Sequence, residues 1–324
     1  MIGVFSTRMS RIPHLDRVLG APVRRVWPFT TAKLTAVAGW GQKKTALRAR
    51  RYAERHGLPY LTVEDGFLRS IGLGRDTPPV SLVVDDLGIF FDARAPSRLE
   101  TLIAAPADAG TLASGAQLAA AWRENRVSKY NHQPDGPRPV AGPFVLVADQ
   151  TYGDASIEGG LASPAQFQRM LDAALDEHAD KTVVLKIHPE VMAGHKRGYF
   201  SLDTLPDTER LVVMATECHP AGLLAAADAV YTVTSQIGFE ALIWGKPVRT
   251  FGMPFYAGWG LTGDDIHRPA RRQNVGLDHL IHAALAQYPT YIHPDTGADW
   301  TATDAIAWIG TQRTARTPPS PQPA

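Results

Sequence analysis

Val230-Tyr231-Thr232-Val233-Thr234-Ser235-Gln236-Ile237-Gly238-Phe239-Glu240-Ala241-Leu242 opens as a strand-like run of β-branched and aromatic residues, breaks at Thr-Ser, and resumes with helical spacing. A second run, Val183-Val184-Leu185-Lys186-Ile187, leads straight into His188-Pro189. Polar loops that follow buried parallel strands gather along one edge of an open α/β sheet, where such sheets hold their ligands. These two loops are therefore suited to gripping a nucleotide. The residues around them alternate in the same way: strand Phe144 to Ala148, helix Pro164 to His178, strand Leu211 to Met214, helix Ala221 to Ala227 and strand Pro247 to Phe251. In the first of those helices Phe167, Met170, Leu171, Ala174 and Leu175 recur at three and four residues, which predicts an apolar face packed on the sheet. The second half reads as a parallel, doubly wound sheet.

The first half repeats the logic less cleanly. Strands are expected at Ile2 to Phe5, Thr35 to Trp40, Tyr60 to Val63 and Ser81 to Val84, with a helix from Thr45 to His56 stopped by Gly57. Between Lys129 and Pro143 the composition turns to Asn, His, Gln, Pro, Asp and Gly, which predicts a linker. The division expected is 1–135, 143–275, a helical segment 276–310 packing back on the body, and a flexible Pro-rich tail 311–324. At 324 residues two α/β domains are expected. The 33 Lys and Arg nearly balance 32 Asp and Glu, so no overall positive field collects nucleic acid. The lone Cys218 forms no internal disulfide, no Cys/His cluster has zinc spacing, and no apolar run approaches the ~18 residues of a membrane span.

Five features carry chemistry. Asp149-Gln150-Thr151-Tyr152-Gly153-Asp154 puts two acids after a strand; either one is a nucleophile, or Asp149 caps a turn and Asp154 caps the next helix. Glu64-Asp65-Gly66 supplies an acid pair from the other half, matched by the reading of a solvated turn. His188, held by Pro189, and the Thr234 and Ser235 hydroxyls at a helix N-terminus outline a phosphate site. Glu240 is spaced to accept from ribose hydroxyls, or to form a structural ion pair. The stretch Gly252 to Thr262, with Phe255, Tyr256 and Trp259, either walls a sugar or plugs a core between domains. A Walker loop, a GxGxxG in strand-to-helix setting, HExxH and a Gly-x-Ser-x-Gly elbow are all absent.

Together with Arg11-Ile12-Pro13-His14-Leu15, Glu64 to Ser70, Ser81 to Asp86, Ser128-Lys129-Tyr130-Asn131, Asp149-Gln150-Thr151, Lys186 to Glu190 and Phe255 to Thr262, these segments resemble the capsule polysaccharide biosynthesis family, and within it the KpsC-type β-Kdo glycosyltransferase modules. The resemblance implies a GT-B fold, two Rossmann-like domains facing across a cleft. It also implies a CMP-Kdo donor, a glycan or lipid-linked glycan acceptor, no nucleic acid, and no metal or resident cofactor. By the same resemblance Glu64 is the acid/base, Asp154 the preferred nucleophile and Asp149 an orienting residue. Arg69 and Lys129 are candidates for the sugar carboxylate, and Gln150, Lys186, His188, Pro189, Thr234, Ser235, Gln236 and Glu240 line the nucleotide-sugar site. A cytoplasmic location is implied; docking on the inner face of the membrane and contact with other capsule-assembly proteins stay open. The alternatives are a UDP-sugar 2-epimerase-like enzyme and a non-catalytic polysaccharide-binding or export subunit.

Overall fold

The structure is a computed structural model that describes residues 1–27, 33–72, 77–187 and 197–316. The chain forms two compact units. One is built from Met1–Val84, Ala120–Pro134 and the residues from Pro289 on, the other from Asp85–Ala119 and Asp135–Tyr288. Where the sequence suggested one passage near residue 135, the chain changes unit at 84/85, 119/120, 134/135 and 288/289.

The first unit carries a seven-stranded sheet of β1 (Ile2–Val4), β2 (Val23–Arg25), β3 (Ala36–Trp40), β4 (Tyr60–Asp65), β5 (Ser81–Asp85), β12 (Pro289–Ile292) and β13 (Asp299–Trp300), in the order β13-β12-β5-β4-β3-β1-β2. Strand β1 pairs in parallel with β2 and β3, and β3 in parallel with β4. The register Trp40↔Val63 brings Glu64 out at the strand edge beside Gly41. Helix Lys44–His56 buries Ala46, Ala49 and Ala53 and ends at Gly57, whose φ of 62° is left-handed backbone that glycine adopts without a Cβ clash.

The C-terminal segment departs from expectation. Pro289–Ile292 and Asp299–Trp300 are strands, β12 antiparallel to β5, and the last helix, Ala302–Arg316, runs on past residue 310. Pro289, Tyr291 and Ile292 are buried, as suits a strand that lies between β5 and β13. Helices Arg98–Ala104 and Ala109–Glu124 are further elements the sequence reading did not mark.

The second unit is the simpler one. Its six strands, β6 (Phe144–Ala148), β7 (Thr182–Lys186), β8 (Leu211–Met214), β9 (Ala229–Thr232), β10 (Val248–Thr250) and β11 (Gly263–Asp264), are all parallel, in the order β11-β10-β9-β6-β7-β8. Continuous apolar strands are what a sheet covered on both faces requires. Phe167, Met170, Leu171, Ala174 and Leu175 pack on it as their spacing predicted. From β6 the chain winds outward through β7 and β8, then returns to lay β9, β10 and β11 on the other side. The winding reverses between β6 and β9, and a crevice for ligand opens at the carboxyl ends of such a pair.

Candidate functional site

At that reversal the register aligns Ala148 with both Thr232 and Lys186, so Asp149-Gln150 and Thr234-Ser235 leave the same edge side by side. Their side chains lock together. The Thr234 amide donates to Gln150 Oε1 at 2.9 Å, Gln150 Nε2 donates to Thr234 Oγ1 at 3.1 Å, and Ser156 Oγ lies 2.9 Å from the same hydroxyl. Thr234 is buried, and its methyl sits against Gly160 and Gly252, where a Cβ would collide with it.

The two acids of this loop differ sharply. Asp149 is part-buried; its Oδ1 accepts from the amides of Gln150 at 2.8 Å and Tyr199 at 3.2 Å. Its Oδ2 is buried and accepts no hydrogen bond among the described residues. Burial outweighs the two amides and pushes its pKa up to about 6. Asp154 is exposed, and Oδ1 caps helix Ala155–Gly159 by accepting from the Ser156 amide at 2.9 Å. A stack of aromatic rings flanks Asp149: Tyr199 lies flat on Phe167 at 3.9 Å between centroids, Tyr152 packs on Tyr199 at 5.1 Å, and the Arg197 guanidinium covers Tyr152 at 4.2 Å.

Ser235 is the N-cap of helix Gln236–Ile243, with Oγ accepting from the Ile237 amide at 3.3 Å. A hydroxyl that accepts from the backbone keeps its own hydrogen to donate to an anion. Glu240 is buried one turn on, with Gln236 Nε2 donating to Oε1 at 3.1 Å. Lys186 Nζ donates to the Thr216 carbonyl at 3.2 Å. His188 and Pro189 lie outside the described residues.

The aromatic stretch after Gly252 is packed inside the second unit, core as the second reading had it but belonging to one unit: Met253, Phe255, Tyr256 and Trp259 are all buried. It braces the site from below. Tyr256 Oη donates to the Ser235 carbonyl at 2.5 Å, and Arg272 Nη1 donates to the carbonyls of Pro254 and Ala257 at 2.7 and 2.8 Å. Arg272 is itself held by buried Glu100, whose Oε1 accepts from Arg272 Nε and whose Oε2 accepts from Arg271 Nε, each at 2.6 Å. Nothing local in the sequence marks Tyr199, Ser156 or the Glu100 network, because each partner lies on a different element.

In the first unit Glu64, next to last in β4, is part-buried, with Oε1 accepting from the Asp65 amide at 3.1 Å. Burial first, then the negative charge of Asp65, pushes its pKa up to about 7, against the lowering pull of that amide and of Lys129 and Lys43. Arg69, a candidate carboxylate ligand, forms an ion pair with Asp65 at 3.0 Å and donates to Ser70 Oγ and the Thr77 carbonyl. Lys129 is drawn to the same place through its carbonyl, which accepts from the Arg69 and Ser70 amides. Buried Asn131 fixes the join by donating to the Ser70 and Ser128 carbonyls. Two motifs some sixty residues apart in sequence, Glu64 to Ser70 and Ser128 to Asn131, thus form one platform.

These two α/β units, each with a strand edge that carries a burial-shifted carboxylate, form a GT-B-like fold. The solved structure of Thermosulfurimonas dismutans KpsC, described as a beta Kdo 2,4 transferase, is similar at 42% identity and a TM-score of 0.87, covering 95% of this chain and 97% of that one. A second KpsC structure from the same organism, a beta Kdo 2,7 transferase, is similar at 29% identity and a TM-score of 0.72, covering 96% and 98%. The sequence matches the family described as capsule polysaccharide biosynthesis protein over residues 35–138 and 114–292. It is 41% identical over 323 residues to the capsule polysaccharide modification protein LipA of Neisseria meningitidis serogroup B, covering 94% of this chain and 45% of the relative. It is also 36% identical to the lipopolysaccharide-processing protein LpsZ of Rhizobium meliloti, covering 85% and 63%. The chain belongs to the capsule polysaccharide biosynthesis family, and spans about half the length of the LipA relatives it matches.

Proposed function

We propose that this chain is a retaining glycosyltransferase that moves Kdo, or a related ulosonic acid, from CMP-β-Kdo to a glycan or glycolipid acceptor in capsule polysaccharide biosynthesis. The observation that carries the reading is the end-to-end likeness to the 2,4 transferase, which exceeds the likeness to the 2,7 transferase and favours a 2,4 linkage.

The chemistry follows from the two raised carboxylates. The Asp149 carboxylate attacks the anomeric carbon; the bond from that carbon to the phosphate oxygen breaks, and CMP leaves with the electron pair. The Ser235 hydroxyl and the amides that open its helix stabilise the charge developing on the phosphate. The acceptor oxygen then attacks the glycosyl ester, Glu64 takes the hydroxyl proton, and Asp149 is released as carboxylate. Two inversions restore the starting configuration. Asp149 replaces Asp154 as nucleophile in this proposal, since the Asp154 carboxylate is solvated and engaged in capping. The reaction is proposed to run without a metal.

The test is turnover of CMP-Kdo with a Kdo-terminated acceptor. A β-2,4-linked product, formed at the same rate with and without EDTA, is expected. A product of inverted configuration, or turnover of UDP-sugars in preference, contradicts the reading and favours the epimerase-like alternative.

A further inference from the structure

The near-neutral chain is uneven: between residues 8 and 56 it holds twelve Lys and Arg against two acids, Asp16 and Glu54. In helix Lys44–His56 the buried face is Ala46, Ala49 and Ala53, while Lys44, Arg48, Arg51 and Arg55 recur at four, three and four residues on the opposite, exposed face. None of these four pairs with a carboxylate among the described residues. An apolar group borders the stripe: Leu47, between Lys44 and Arg51 on the helix surface, is 49% exposed.

We infer that this face docks the first unit on an anionic phospholipid surface. Charge complementarity sets the occupant, and the exposed Leu47 beside the stripe favours a bilayer interface over a soluble polyanion, which charge alone would serve. Among the described residues no helix is long and apolar enough to cross a membrane. The helix starts at the strand edge that bears Glu64, with Lys43, its N-cap, acting on that carboxylate. Under the proposed transfer reaction, a lipid-linked acceptor is then presented at that edge; the docking itself stands without that reading.

Vesicle sedimentation of the full chain, with no donor present, tests it. Vesicles of phosphatidylglycerol and phosphatidylcholine in equal parts are expected to bind the protein, and phosphatidylcholine alone to leave it in solution. Binding falls as salt shortens the screening length below about 10 Å. At roughly fivefold per basic residue near the surface, Lys44→Gln/Arg48→Gln/Arg51→Gln/Arg55→Gln weakens partitioning on the order of 100-fold or more, with thermal stability unchanged. The matched variant Arg48→Lys/Arg51→Lys/Arg55→Lys retains it. Equal binding to both vesicle types, or no loss in the neutralised variant, overturns the inference. So does displacement by a soluble acidic polysaccharide at a charge concentration below that of the lipid, which reassigns the face to a soluble polyanion.

Discussion

Asp149 and Asp154 lie five residues apart on one loop, with the same side chain, and the fold gives them opposite chemistry. Asp149 emerges from a buried strand, is oriented by two amides through one oxygen, and has its other oxygen shut away from water. Asp154 stands in solvent at the start of a helix and uses its carboxylate to satisfy an amide. Distance along the chain therefore says little about which acid reacts; what decides is how much solvation each has lost. Glu64 in the other unit belongs with Asp149 in this respect, because both are held above their ordinary range chiefly by burial.

The contrast sharpens into ordered expectations. Asp149→Asn should lower kcat by at least about 10³-fold while the melting temperature holds, since the amide still accepts through its oxygen. Glu64→Gln follows, at roughly 10²-fold or more. For the native enzyme kcat/KM should rise with pH through about 7 as Glu64 ionises; in the variant that limb moves down toward about 6, set by Asp149.

Stability gives an independent check with a definite sign. A carboxyl raised in the folded state from 4.5 to about 7 adds stability that is full below 4.5 and is lost as pH rises through 7. The melting temperature of Glu64→Gln relative to native should therefore climb across that window; a flat difference argues against a shifted Glu64. Thr234→Val removes the hydroxyl shared by Gln150 and Ser156, and should raise the donor KM about tenfold, corresponding to roughly 1–2 kcal/mol, with a smaller change in kcat. Asp154→Ala is the mildest. Loss of the cap costs about 1 kcal/mol, Asp154→Asn restores it, and kcat stays within about threefold for both.

Much of the second sheet was legible because its strands are continuous apolar runs and its first helix repeats at three and four residues; Phe167, Met170 and Leu171 sit where their spacing put them. The loops at the strand ends were legible for the same reason. Solvent exposure was not, so the sequence left the roles of Asp149 and Asp154 open and leaned to the latter. Tyr199 reaches Asp149 through a backbone amide fifty residues away, and Arg272 reaches Glu100 across 172 residues, contacts with no local signature. The strands Pro289–Ile292 and Asp299–Trp300 were missed because four- and two-residue pieces show too little alternation to detect. The aromatic loop could be read either as a ligand wall or as packing; burial of Tyr256 and Trp259 makes it packing.

The most direct test of the central claim is mass spectrometry of enzyme denatured during turnover of CMP-Kdo and digested with protease. A Kdo adduct whose fragment ions localise it to Asp149 is the predicted result. An adduct on Asp154, or an unmodified loop alongside a product of inverted configuration, would contradict the account.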